Sequence, residues 1–466
     1  MIREFMDPTF FFEEMEDFNR KLVKGAEILT NISDVQVEPT PKELVLEEDK
    51  MKLYHYINPT ELTCDVPLLI CYALVNRQYM MDLQSDRSLI RNLLGRGLDI
   101  YIIDWGYPDL GDRYVTMEDY LDVYLNDCVE EVRMRSGCDK INLLGVCQGG
   151  TFVTVYASLY PQKISNLITM VAPIDFHVTD GLLNIWSRYM DIDKMVDTLG
   201  IIPGDFMNVR FLMLKPFQLM VDKYVGLMEN LDDPVTVTNF VRMEKWIYDS
   251  PAQAGEAYRK FMKDLYQDNK LVKGEFELGG RRVDLKNITM PLLNIYATED
   301  HLVPPDSSIP LNDLVSSEDK TLYAFPGGHI GLYVSSRSQK ELAPAVSEWL
   351  TSRCMPVDMG QATQGSSGES ASEPASPGLS SSASSTRVSA SAGAKRESAS
   401  KQRAPKKIRR KAAVLQDEPL PGSKPPRISR RSASSSPEPS QGGNRTSKAG
   451  KKKQANRTGP SPIGDR

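Results

Sequence analysis

The chain has 466 residues, 41% of them hydrophobic, and a formal net charge of −6 at pH 7. That charge is divided: residues 356–466 carry 21 Lys+Arg against 8 Asp+Glu, a net +13, which leaves −19 for residues 1–355. The length admits two or three domains, and the division excludes one uniformly charged body. The longest apolar run, Val66–Val75, falls short of the roughly 20 residues that span a bilayer, so no transmembrane segment is expected.

The first 18 residues are acidic and aromatic rather than basic and then apolar, so no signal peptide is read there. The six cysteines (Cys64, Cys71, Cys128, Cys138, Cys147, Cys354) show no C-x-x-C pair or metal-like spacing. They read as reduced thiols in a cytoplasmic protein. Residues 1–40 form an N-terminal helical segment, with Phe10, Phe11, Phe12, Met15 and Phe18 on an acidic background. That segment either packs on the domain or docks a partner chain.

Residues 41–176 alternate strand-like and helical runs. Val66–Val75 is a buried strand, residues 88–94 a helix, and residues 98–104 a second strand stopped at Trp105-Gly106-Tyr107-Pro108. Residues 116–136 have the helical period. The strand Ile141–Leu144 leads into Gly145-Val146-Cys147-Gln148-Gly149-Gly150, then a helix to Tyr160, and a strand follows over residues 164–173. This alternation predicts an α/β protein built on a mostly parallel, doubly wound sheet.

The rhythm breaks over residues 177–285, which read as helical and rich in Met, Phe, Tyr and Trp. An insertion of that size between two core strands predicts a lid over the site. Strands resume over residues 286–355, at Met290–Tyr296 and Lys320–Phe325, with a closing helix over 336–353. Residues 356–466 are Ser-, Pro-, Lys- and Arg-rich and hold too little apolar surface to offset their ordering entropy. They are expected to be a disordered basic tail.

The segment around Cys147 is a nucleophile elbow with cysteine in place of the usual serine. Glycines flank the nucleophile because the strand-to-helix turn leaves no room for side chains. The N–H of Gln148 is expected to be one oxyanion donor, and the loop around Val75 to supply the second. On this α/β-hydrolase fold the chain order is nucleophile, acid, histidine, and Cys147, Asp300 and His329 follow it, each just after a strand. Glu299 is the alternative acid. His301 is expected to shape the site, His55 to be structural or exposed, and His177 is a candidate for lining the entrance.

With those residues in hand, the chain resembles the catalytic subunit of class III polyhydroxyalkanoate synthases over residues 40–353. The resemblance rests on Gly145-Val146-Cys147-Gln148-Gly149-Gly150, Asp104-Trp105-Gly106 and Val171-Ala172-Pro173-Ile174-Asp175. It rests also on Glu299-Asp300-His301-Leu302-Val303-Pro304 and Gly327-Gly328-His329-Ile330-Gly331. It implies polymerisation of a 3-hydroxyacyl-CoA, foremost (R)-3-hydroxybutyryl-CoA, through acyl-cysteine intermediates with release of coenzyme A. A second, non-catalytic synthase subunit, a homo-oligomer and attachment to polymer granules are implied with it. No metal or bound redox cofactor is indicated.

The tail departs from the resemblance, since the class III subunit usually ends near Cys354. Its +13 charge, with Lys406–Lys411 and Lys451–Lys453, suits contact with nucleic acid; the plainer reading is a solubilising segment. Two rivals remain for the body. A thioesterase or polyester depolymerase of the same fold would release free acid rather than polymer. A non-catalytic granule or nucleoid tether would not need the three site residues.

Overall fold

The computed structural model describes residues 8–32, 35–178 and 181–354. The expectations for the tail, 356–466, and for the aromatic N-terminal side chains Phe10, Phe11 and Phe12 lie outside the described residues or side chains.

The body is an eight-stranded sheet with helices on both faces. The strands are β1 (Lys42–Glu48), β2 (Met51–Tyr56), β3 (Leu68–Cys71), β4 (Ile100–Asp104), β5 (Ile141–Val146), β6 (Ile164–Met170), β7 (Leu292–Ala297) and β8 (Lys320–Phe325). Their order is β1-β2-β4-β3-β5-β6-β7-β8. From β4 to β8 every pairing is parallel, and β1 and β2 add an antiparallel edge. This is the predicted doubly wound α/β sheet.

Central strands β3, β4 and β5 are wholly buried, as their unbroken apolar runs require when helices cover both faces. The edge strand β1, Lys-Glu-Leu-Val-Leu-Glu-Glu, is half exposed and carries a register shift between Leu44 and Leu46. Charge and irregularity both protect an open edge from pairing with another chain. The same charge hides β1 in the sequence.

The first four helices are α1 (Pro8–Asn31), α2 (Leu89–Leu94), α3 (Asn126–Ser136) and α4 (Gln148–Leu159). A π-helical turn, Asp119–Leu125, leads into α3, and Gly137 closes α3 in the left-handed conformation. Helix α1 packs against the helices at Lys223–Glu229 and Pro234–Tyr248. Between β6 and β7 the chain is mainly helical, with helices at Leu182–Arg188, Ile192–Leu199, Gly204–Leu212, Pro234–Tyr248 and Gly255–Lys260. Short ladders at Ile201–Ile202 with Gln253–Ala254, and Glu277–Leu278 with Arg281–Arg282, interrupt it.

One expectation is overturned. Cys64 and Cys354 are joined in a disulfide across 290 residues of sequence, while Cys71, Cys128, Cys138 and Cys147 are free. Spacing carries no trace of a pair this distant, because the closing helix Ala343–Thr351 returns to the start of the sheet only through tertiary packing. Among the described residues no helix is long and apolar enough to cross a membrane.

Candidate active site

The elbow follows from steric limits at β5 and α4. A Cβ on Gly149 would stand 2.2 Å from the Cys71 carbonyl oxygen, and one on Gly145 would stand 2.3 Å from a Val153 methyl. Only glycine lets α4 start so close to β3 and β5. Cys147 itself has φ 53° and ψ −122°, a strained conformation for a residue with a side chain, costing about 1–3 kcal/mol. The surrounding hydrogen bonds hold it: Cys147 N–H to the Met170 carbonyl at 2.8 Å and Gly150 N–H to the Cys147 carbonyl at 2.8 Å. The thiol is half-buried and faces a cavity.

Asp300 and His329 meet behind it. Nδ1 of His329 lies 2.7 Å from Oδ2 of Asp300, and both residues are buried. The other carboxylate oxygen of Asp300 accepts the N–H groups of Leu302 and Val303, each at 2.9 Å. The acid is thus held in place by its own loop. The alternative acid, Glu299, is exposed. Burial disfavours protonation of His329, but the charges of Asp300 and Cys147 and hydrogen bonds to both outweigh it, raising its pKa to about 10. Imidazole and carboxylate form one hydrogen-bonded pair, and His329 lines the same cavity as Cys147.

The other histidines separate as expected except one. His55 stacks on Tyr101 and reaches Asp99 at 2.6 Å, a structural role. His301 lines the cavity, its pKa held below the usual value by burial and then by the Lys215 charge. His177 is not among the cavity-lining residues. Its Nε2 donates to the Gln267 carbonyl at 3.0 Å, which turns the ring away from an entrance role.

The loop after β3 is braced from three sides. Oε1 of Gln148 accepts the N–H of Leu74. Trp105 donates from Nε1 to the Tyr72 carbonyl at 2.9 Å. The insertion grips the far end, with Trp246 donating to the Arg77 carbonyl at 2.8 Å and Asn76 donating to that of Ile247 at 3.2 Å. Arg77 in turn pairs with the buried Asp104 at 2.7 Å and lies over the Tyr107 ring. The N–H of Val75 makes no hydrogen bond among the described residues. The Gln148 N–H, at the first position of α4, has no intrahelical acceptor.

The cavity in front of Cys147 encloses about 220 Å³. Its walls come from the core loops (Tyr72, Val75, His329) and from the insertion (Phe211, Met243, Phe261). Sequence reading singled out the insertion's apolar content but not Asn208 or Arg210, which also line the space. Their only sequence signal is position beside Met207 and Phe211 on one helix, which does not distinguish them from a solvated face.

The arrangement offers groups of the kind acyl transfer uses: a thiol, a histidine hydrogen-bonded to an acid, and the N–H groups of Gln148 and Val75, unpaired among the described residues. Comparison with known proteins points the same way. A family model for the alpha/beta hydrolase fold matches residues 66–336, and one for the N-terminus of poly-beta-hydroxybutyrate polymerase (PhaC) matches residues 22–93. The poly(3-hydroxyalkanoate) polymerase subunit PhaC of Allochromatium vinosum is 53% identical over 348 residues, covering 74% of this chain and 98% of that protein. The protein of the same name from Synechocystis is 53% identical over 349 residues, covering 73% and 92%. That of Haloferax mediterranei is 47% identical over 324 residues, covering 69% and 66%.

Proposed function

The chain belongs to the poly(3-hydroxyalkanoate) polymerase family as a catalytic subunit and is an acyltransferase, and from that premise we propose that it polymerises (R)-3-hydroxybutyryl-CoA on Cys147. The observation that supports this reading is the buried Asp300–His329 pair, whose imidazole lines the same mostly apolar cavity as the Cys147 thiol.

In this reading His329 takes the thiol proton of Cys147, and Sγ attacks the thioester carbonyl while the imidazolium stabilises negative charge on sulfur. The N–H groups of Gln148 and Val75 receive the developing oxyanion. The carbon–sulfur bond to coenzyme A breaks, and the departing thiolate takes a proton from His329. The 3-hydroxyl of the next monomer then attacks the acyl-cysteine. Its proton passes to His329, oriented by Asp300, or directly toward Asp300, and the ester bond forms as Cys147 leaves. Attack by Cys147 on the lengthened thioester releases the second coenzyme A and restores the acyl-enzyme.

Transfer to an alcohol in preference to water requires a water-poor site. The helical insertion, 177–285, serves as its lid, since it supplies much of the cavity wall. The reading extends to class III organisation: a second, non-catalytic subunit, a homo-oligomer, and residence at the polymer granule. Contact of the basic tail with nucleic acid belongs to the same set of proposals.

The test is incubation of the full chain, with and without the partner subunit, with 3-hydroxybutyryl-CoA. Coenzyme A release accompanied by insoluble polyester is expected, and Cys147→Ala should abolish both. Release accompanied by free acid would instead identify a thioesterase.

A further inference from the structure

The cavity is mostly apolar, and the helix Gly204–Leu212 adds two polar side chains to its wall, Asn208 and Arg210. Asn208 is 5% exposed and lines the cavity, yet its side-chain amide makes no hydrogen bond among the described residues, with Nδ2 fully enclosed. A buried amide left unpaired is costly and therefore unusual in a stable fold. Two residues along, Arg210 also lines the cavity. Its guanidinium donates to Oη of Tyr258 at 3.2 Å and to Oγ of Ser187 at 3.3 Å, both neutral oxygens of buried residues. Among the described residues no carboxylate lies within 4.0 Å of Arg210. The guanidinium has five N–H donors and these contacts leave donors over.

We propose that Asn208 and Arg210 form a clamp for an ester carbonyl of the growing polyester, next to the unit held on Cys147. The proposal rests on the acyl-cysteine reading. Unused donors call for an acceptor, and each repeat of a polyhydroxyalkanoate offers one carbonyl oxygen and no N–H of its own. The phosphates of coenzyme A are also acceptors. They fit poorly here, because Ser187, Asn208 and Tyr258 are almost wholly buried and a multiply charged group would lose its hydration without full compensation. A neutral carbonyl gains from the same donors at little desolvation cost. Asn208 and Arg210 are positioning residues in this account: they hold the chain and leave the reacting atoms to Cys147 and His329.

The experiment compares two acyl-CoA probes that cannot elongate. One is butyryl-CoA, with no ester carbonyl; the other is a hydroxybutyrate trimer thioester lacking its terminal hydroxyl, with two. Both share coenzyme A. Single-turnover acylation of the full chain is measured with label in the acyl group, and Cys147→Ala sets the background. The expected result is that wild type prefers the trimer, and that Asn208→Leu and Arg210→Met lower trimer transfer about tenfold more than butyryl transfer. Arg210→Lys should retain part of the preference. Equal loss for both probes, or an unchanged preference, would overturn the clamp. No Cys147-dependent label in wild type with either probe would overturn the acyl-cysteine reading and the clamp with it. Intact butyryl transfer shows that a variant has folded.

Discussion

The side-chain oxygen of Gln148 accepts the backbone N–H of Leu74 at 3.1 Å. The residue that follows the candidate nucleophile thus directly ties the start of α4 to the loop that carries Val75, the other candidate oxyanion donor. Replacing Gln148 with Leu removes the acceptor but not the N–H of α4. We expect kcat to fall roughly 10-fold or more, within the range that loss of oxyanion stabilisation produces, with KM little changed. Gln148→Glu keeps an acceptor oxygen and should retain more activity than Gln148→Leu. Steady-state coenzyme A release distinguishes the outcomes; equal rates in all three proteins would remove the role of this bond.

Asp300 orients His329 through Nδ1 and is itself locked by Leu302 and Val303. Asp300→Asn preserves the shape of the contact but offers no negative charge to the imidazolium. A fall in kcat of roughly 10³–10⁴ is expected, on the scale seen when an orienting acid is neutralised in other triads. Labelled-acyl transfer to Cys147 in rapid-quench experiments is the measurement. A loss under tenfold would mean that the acid acts elsewhere.

The proton on His329 links stability to pH. Its folded pKa, about 10, lies above the ordinary value of 6.5. The folded state therefore binds the proton more tightly than the unfolded chain, and the resulting stabilisation is complete below about pH 6.5. It is lost as pH rises through about 10. Wild type should exceed Asp300→Asn in urea stability at pH 6, with the gap narrowing steadily toward pH 10. A gap that widens with pH contradicts the assigned charge state.

The disulfide between Cys64 and Cys354 closes a loop containing nearly the whole folded body. In the chain-entropy account such a constraint restricts the unfolded state and stabilises by roughly 2–5 kcal/mol. Cys354→Ser, or treatment with reductant, should lower the midpoint of thermal unfolding, and reductant should have no further effect on the variant. Acylation of Cys147 at low temperature should be unaffected. Thiol titration of the unreduced unfolded chain should count four free thiols; six would refute the bond.

Much of this protein was legible locally. The strands over 68–71, 100–104, 141–146, 164–170 and 292–297 announce themselves as apolar runs because parallel central strands are buried on both faces. The elbow is legible because steric exclusion around a tight strand-to-helix turn demands glycine at fixed positions beside Cys147. Even the pairing of Asp300 with His329 could be anticipated, since each follows a strand and strand ends gather on one edge of a parallel sheet. The half-exposed, charged edge strand β1 gave no comparable signal.

Sequence alone therefore determined the fold class and the order of the candidate acid, base and nucleophile, as these depend on local periodicity and turn sterics. Tertiary structure decided the bond between Gln148 and Leu74, the pairing of Cys64 with Cys354, the turning of His177 onto Gln267, and the unpaired Asn208 beside Arg210. Each joins residues whose identities are unremarkable in isolation. Their chemistry arises only when distant segments share a low-dielectric interior, where an unmet donor or a neighbouring charge gains energetic weight that water would have removed.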